Sequence, residues 1–96
     1  MKGQEVTIYG RLGKNPELRR TKREKSFCTF TLAEQVKGEE NPRWHNIVMW
    51  EKECEHWAKI LKKGNPVIIR GRVVERTFKD RPYVEVNADA IGFTNS

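Results

Sequence analysis

What this chain has little of narrows its possibilities first. It holds no apolar run of about 18 residues, so no helix of it is expected to span a bilayer and no membrane partner is expected. Cysteine is scarce. Cys28 and Cys54 show neither CxxC spacing nor a Cys/His pairing, which speaks against a zinc site or a disulfide framework and for reduced, buried thiols. No metal or other cofactor is expected. The opening residues Met1-Lys2-Gly3-Gln4-Glu5 lack the apolar core of a secretory signal, so a cytoplasmic location is expected. Internal repeats, interior linkers and low-complexity tracts are absent, and residues 1–96 are expected to form one small domain. Apolar residues make up only 36% of the chain, so self-association would help it bury more surface. Acid is short relative to base: 13 Asp and Glu stand against 19 Lys and Arg, for a net charge of +6. That excess points to a polyanionic partner.

What is present reads mainly as strands. Val6 to Gly13 alternates, with Val6, Ile8 and Leu12 on one face and Thr7, Tyr9 and Arg11 on the other. Gly10 within it suits a bulge or bend. Gly13-Lys14-Asn15-Pro16 is a turn. From Leu18 to Ser26 the chain carries Arg19, Arg20, Lys22, Arg23 and Lys25 against the single acid Glu24, which reads either as a solvated hairpin tip or as a phosphate-contacting arm. Phe27 to Ala33 is a second strand with Cys28, Phe30 and Leu32 on the apolar face and Phe27, Thr29 and Thr31 on the other. Cys54, Trp57, Ala58 and Leu61 then fall at helical spacing, predicting a helix of about three turns over Glu53–Lys63 with Trp57 packed in the core. Val67 to Phe78 follows as a strand whose one face carries Arg70, Arg72, Arg76 and Phe78, with Gly71 allowing a bend. After a tight turn at 79–82, Tyr83 to Ile91 is the last strand, with Val84, Val86 and Ala88 inward and Tyr83, Glu85 and Asn87 outward.

The stretch Arg43-Trp44-His45-Asn46-Ile47-Val48-Met49-Trp50 carries the functional signal. As a strand it sets Trp44, Asn46, Val48 and Trp50 on one face. An unpartnered Asn buried between two Trp would cost ~1–3 kcal/mol, so this face is expected to be open to a ligand that accepts both flat rings and polar groups. In a basic protein that ligand is a chain of nucleobases. The plain alternative is that both Trp are core residues.

Five short strands, a helix after the third and glycines at bends fit an all-β fold, the five-stranded Greek-key barrel called the OB-fold, with one helix between strands 3 and 4. The motifs, taken in order, resemble a known family. Tyr9-Gly10-Arg11-Leu12-Gly13-Lys14-Asn15-Pro16-Glu17-Leu18-Arg19, Phe30-Thr31-Leu32-Ala33, Trp44-His45-Asn46-Ile47-Val48-Met49-Trp50, and Leu61-Lys62-Lys63-Gly64 followed by Val67-Ile68-Ile69-Arg70-Gly71-Arg72 are similar to the corresponding runs of the bacterial single-stranded DNA-binding proteins, also carried by phages and plasmids. The resemblance covers roughly residues 4 to 93. It implies that Trp44, Trp50 and Phe78 stack on bases, that Arg19, Arg72 and Arg76 lie at or beside the DNA path, and that His45 sits at a subunit interface of a homotetramer, with a dimer as the fallback. Three departures stand out. The family's further stacking Trp has no counterpart at Val36-Lys37-Gly38, the loop at 79–82 is short, and the acidic C-terminal tip is missing, so recruitment of partners through a tail is not expected.

The expected function is therefore sequence-independent binding of single-stranded DNA in replication, recombination or repair. Stacking would come from Trp44, Trp50 and Phe78, and phosphate or polar contacts from Arg11, Arg19, Arg20, Lys22, Arg23, Asn46, Arg70, Arg72 and Arg76. A rival on the same fold is an RNA-binding or primosome-type interaction protein. An enzyme is not expected: Glu53, Glu55 and His56 cluster with Glu51 in sequence but face different sides of the predicted helix.

Overall fold

The computed structural model describes residues 3–94. Its strands are β1 (Glu5–Leu12), β2 (Glu17–Arg20), β3 (Ser26–Glu34), β4 (Arg43–Trp50), β5 (Pro66–Phe78) and β6 (Arg81–Phe93), and its helix is α1 (Glu51–Trp57). They form one sheet in the order β1-β5-β6-β4-β3-β2, which β1 closes by pairing with β3 at Arg11↔Ala33 and Leu12↔Leu32. All pairings are antiparallel except β4 with β6. The five long strands, with that single parallel contact, make the OB-fold barrel expected from the sequence. β2 is a sixth, four-residue strand added at the edge of β3.

Closure depends on strands changing partners. β1 leaves β5 and meets β3 just past Gly10. On β5 the register slips between Arg70 and Gly71. A Cβ at Gly71 would stand 2.2 Å from the Asn87 carbonyl oxygen, so only glycine lets β5 bend this close to β6.

The core is a single cluster of Ile8, Leu12, Cys28, Phe30, Leu32, Ile47, Met49, Cys54, Leu61, Val67, Ile69 and Val86. The alternation read from β1, β3 and the first half of β5 supplies most of it. Two expectations change. Val84 was expected inward but is 50% exposed, because the β5–β6 hairpin runs on past the barrel and has no core beneath it there. The helix is shorter than predicted: it ends at Trp57, after which Ile60 and Leu61 both donate to the Trp57 carbonyl. The chain must turn there, because Gly64 N–H donates to Leu12 O and Leu12 N–H to Asn65 O, tying the segment after the helix to the end of β1. Leu61 still reaches the core, by a turn rather than along a helix face. Trp57 is half-buried against the core, packed edge-on with His56 and Phe93.

Candidate nucleic-acid interface

The outer face of β3 and β4 is assembled by cross-strand pairs. Phe27 lies opposite Trp50, Thr29 opposite Val48, Thr31 opposite Asn46 and Ala33 opposite Trp44. Residues directly opposite sit close enough for side chains to meet. The Phe27 and Trp50 rings do meet, with centroids 5.0 Å apart and planes at 30°. Trp50 is thus a half-buried ring on an aromatic platform. Trp44, at the far end of the same face, is 60% exposed. Its ring lies over Gly13, where a Cβ would come within 2.6 Å of Trp44 Cζ3, so glycine makes the seat for this indole. Six positions of strand separate the two Trp, about 20 Å at ~3.3 Å per residue. They bracket the face rather than sandwich one ring between them.

Between them lies a groove of about 460 Å³ walled by Phe27, Trp50 and Tyr83, with Asn46, Arg76 and Glu85 supplying polar groups. Thr29, Thr31 and Val48 form its floor. An apolar cleft of this size with a few convergent polar groups has the character of a ligand site. Arg76 Nε stands 3.2 Å from Glu85 Oε2, and the Glu85 side chain is only 9% exposed. Asn46 Nδ2 donates to the Val84 carbonyl at 3.4 Å.

Beyond Trp50 the β2–β3 turn forms a basic arm. Thr21 organises it: its N–H donates to Lys25 O, and its hydroxyl oxygen accepts from the Arg23 and Lys25 N–H groups. The result places Lys22, Arg23 and Lys25 around a second cavity of about 610 Å³ that shares Trp50 with the groove. Of the two sequence readings of this segment, the geometry sets the basic groups beside an aromatic ring. Phe78 stands at the tip of the β5–β6 hairpin, 63% exposed, with Lys79 Nζ 5.4 Å from its ring centroid.

Other expected contacts lie elsewhere. Arg20 pairs with Ser26, on the side of β2 opposite Arg19, and its guanidinium reaches the Ser26 hydroxyl. Arg19 shares the Phe27 side but is held by Glu17 at 2.7 Å. That guanidinium, helped by Lys14, pulls the Glu17 carboxyl below its usual range. Arg11 donates to Gly64 O and lines a separate cavity with Tyr9, Pro42 and Pro66. Arg70 is exposed where β5 pairs with Thr7 of β1. Arg72 bridges Glu5 and the Gly3 carbonyl and lines a larger cavity, about 820 Å³, which no aromatic ring lines. Arg70 and Arg72 stay together opposite Thr7 and Glu5 of β1, and of the arginines read on that face of β5 it is Arg76, farther along the strand, that lines the groove. His45 lies on the other face of β4 from the tryptophans, with Nε2 2.9 Å from Glu34 Oε1.

Phe27, Lys14, Tyr83 and Glu85 line the groove although they were not among the expected contacts. Phe27 was legible in principle, because the alternation of β3 already set it on the non-core face. Among the described residues, no group of three or more His, Cys, Asp or Glu is placed to hold a metal ion, and no helix is long and apolar enough to cross a membrane.

A closed OB barrel with exposed rings and basic side chains along one sheet face sets the chain in the OB-fold class, whose sheet faces take oligonucleotides or oligosaccharides. Comparison narrows the class. Residues 4–93 match the Single-strand binding protein family, and the chain belongs to that family. It is 38% identical over 98 residues to Single-stranded DNA-binding protein 2 of Listeria monocytogenes, covering 92% of this chain and 61% of that protein. It is 36% identical over 98 residues to Single-stranded DNA-binding protein A of Bacillus subtilis, covering 92% and 57%. With the Single-stranded DNA-binding protein of Neisseria meningitidis it shares 33% over 90 residues, covering 86% and 52%. The chain thus spans about half to three-fifths of the length of these relatives.

Proposed function

We propose that this chain binds single-stranded DNA with little regard to sequence and shields it during replication, recombination or repair. The observation that carries the reading is the convergence on one face of exposed Trp44, the Trp50–Phe27 platform and the Lys22, Arg23 and Lys25 arm. Every base has a π-face, so stacking on these rings asks for no particular sequence, while the cations neutralise phosphates. A duplex keeps its base faces stacked and out of reach of these rings. The names of the relatives support the same partner. Phe78 on its projecting hairpin extends the path, and Arg76 and Asn46 contribute from the groove; Arg11, Arg20, Arg70 and Arg72 act at most through the general field of the protein. Titration of labelled oligo-dT, oligo-U and a DNA duplex of matched length tests the proposal. Oligo-dT is expected to bind tightest and the duplex weakest; equal or tighter binding of oligo-U would favour an RNA-binding role.

We propose further that the role is binding rather than catalysis. Glu51, Glu53, Glu55 and His56 are exposed on α1, as solvated helix residues are. Incubation with single-stranded DNA and Mg²⁺ is expected to leave the strand as intact as it is in EDTA. We also infer one OB domain located in the cytoplasm, assembled as a homotetramer, with a dimer as the fallback. The support is a small core, together with the resemblance that sets His45 at a subunit interface. A monomer mass by light scattering at micromolar concentration would contradict the assembly.

A further inference from the structure

Away from the β3–β4 face, α1 and the end of β6 leave apolar surface uncovered. Trp57 closes the helix only half-buried and meets Phe93 edge-on, with ring centroids 5.8 Å apart. Phe93 is 51% exposed, and Ile60, one turn beyond Trp57, is 39% exposed. None of the three lines the groove or the cavity beside the basic arm, so the binding of bases does not account for them. Apolar side chains gathered at a surface within a charged rim mark a contact with another protein.

The rim indicates which protein. Acids and bases are segregated along this segment. Glu53 and Glu55 stand on α1 before Trp57, while Lys59, Lys62 and Lys63 follow it, and all five are exposed. Glu51 and Lys52, ahead of them, offset one another. Among the described residues, none of the five enters an ion pair. The basic end is fixed in place, because Lys62 N–H donates to Asn65 Oδ1 and Lys63 N–H to Asn15 Oδ1. A segment acidic at one end, apolar in the middle and basic at the other complements itself when turned end for end. A second copy related by a two-fold axis near Trp57 sets Glu53 and Glu55 against the partner's lysines in both directions, as an isologous contact requires.

We propose that this surface docks a second copy of the chain, α1 against α1 in opposite directions, and so joins neighbouring proteins along one strand of DNA. Three side chains make a small apolar centre, which sets the contact in the weak, transient class. In free solution the +6 charge of each copy opposes it. On a strand the phosphates neutralise that charge and hold the copies side by side at a high effective concentration. The contact therefore forms on DNA, where one bound copy favours the next. It does not involve His45, so it links assemblies rather than building one. The inference rests on the proposed binding of single-stranded DNA.

The test compares wild type with Glu53→Lys/Glu55→Lys and with Lys59→Glu/Lys63→Glu, each variant alone and the two mixed in equal amounts. Each sample is titrated with an oligo-dT that holds one protein assembly and with a poly-dT several times longer. The ratio of the two affinities per site isolates the contact, since a change in net charge acts on both strands. Binding of the short strand also shows that a variant is folded. Wild type is expected to bind the long strand about tenfold tighter per site, a common size for coupling between sites. Either variant alone places like charges across the two-fold axis and should bring the ratio toward one. The mixture, in which a basic copy meets an acidic one, should restore it. A wild-type ratio of one would overturn the contact without recourse to any variant, and binding of the short strand would leave the general binding intact. Variants that keep the wild-type ratio, or a mixture that fails to restore it, would overturn the contact as well. Failure of every strand to bind would overturn the binding reading and the contact with it.

Discussion

The three tryptophans occupy three environments, and their substitutions should separate accordingly. Trp44 is 60% exposed, so Trp44→Ala should cost little stability and ~1–3 kcal/mol of DNA binding. Trp50 rests on Phe27, and an aromatic pair contributes ~0.5–1.5 kcal/mol beyond area burial, so Trp50→Ala should weaken both folding and binding. Trp57→Ala should lower stability, by less than the ~3–5 kcal/mol of a fully buried ring because Trp57 is half-exposed, and leave the affinity of folded protein unchanged. Denaturant melts and anisotropy titrations on these variants check all three. The cysteines give a second residue-scale prediction. Burial pushes the Cys28 thiol from its ordinary 9.0 up to about 12, and Cys54 is raised too, again mainly by burial. The folded state therefore keeps a proton that the unfolded chain loses near pH 9. This contribution to stability is complete below pH 9 and declines between pH 9 and about 12, by up to ~1.4 kcal/mol per pH unit for Cys28. Native protein should resist thiol reagents at pH 8, and both thiols should react in denaturant; rapid native labelling would contradict the burial.

Elements were legible in the sequence where burial followed a period. β3 alternates buried and half-buried residues from Ser26 to Leu32, and its two faces are those the sequence predicts. β2 is not legible because all four of its residues are exposed and leave no period to read; it exists because the edge of β3 offers it hydrogen bonds. The spacing predicts too long a helix because Leu61 sits on the same apolar period although it reaches the core by a turn. The groove was partly legible. Trp44, Asn46 and Trp50 declare it through strand parity, but Glu85 and Tyr83 arrive from β6, and no local pattern announces a contact between strands so far apart in sequence. The β5–β6 hairpin carries a testable strain. Its two-residue turn, Lys79 and Asp80, has φ of 53° and 64°, the left-handed region favoured by Asn and Gly. Replacing Lys79-Asp80 by Asn-Gly should stabilise the fold by about 1–2 kcal/mol, read as a higher melting midpoint. The exchange also removes Lys79 from above Phe78, so DNA affinity should hold or drop slightly.

At the scale of the whole molecule, the barrel presents rings on one face and spreads its positive charge widely. Arg19, Arg43 and Arg76 are each paired with a carboxylate, so fewer cations than the composition offers are free to meet phosphates. The salt dependence of binding should reflect the smaller number, with a log–log slope of roughly −0.7 per phosphate neutralised on a single strand. The central claim is that the β3–β4 face holds bases against its tryptophans, and intrinsic fluorescence during a titration with oligo-dT tests it most directly. Saturation should quench a large share of the emission, the quench should shrink in Trp44→Ala and Trp50→Ala, and a matched duplex should produce little of it. Tight binding of oligo-dT with unchanged tryptophan emission would contradict the account.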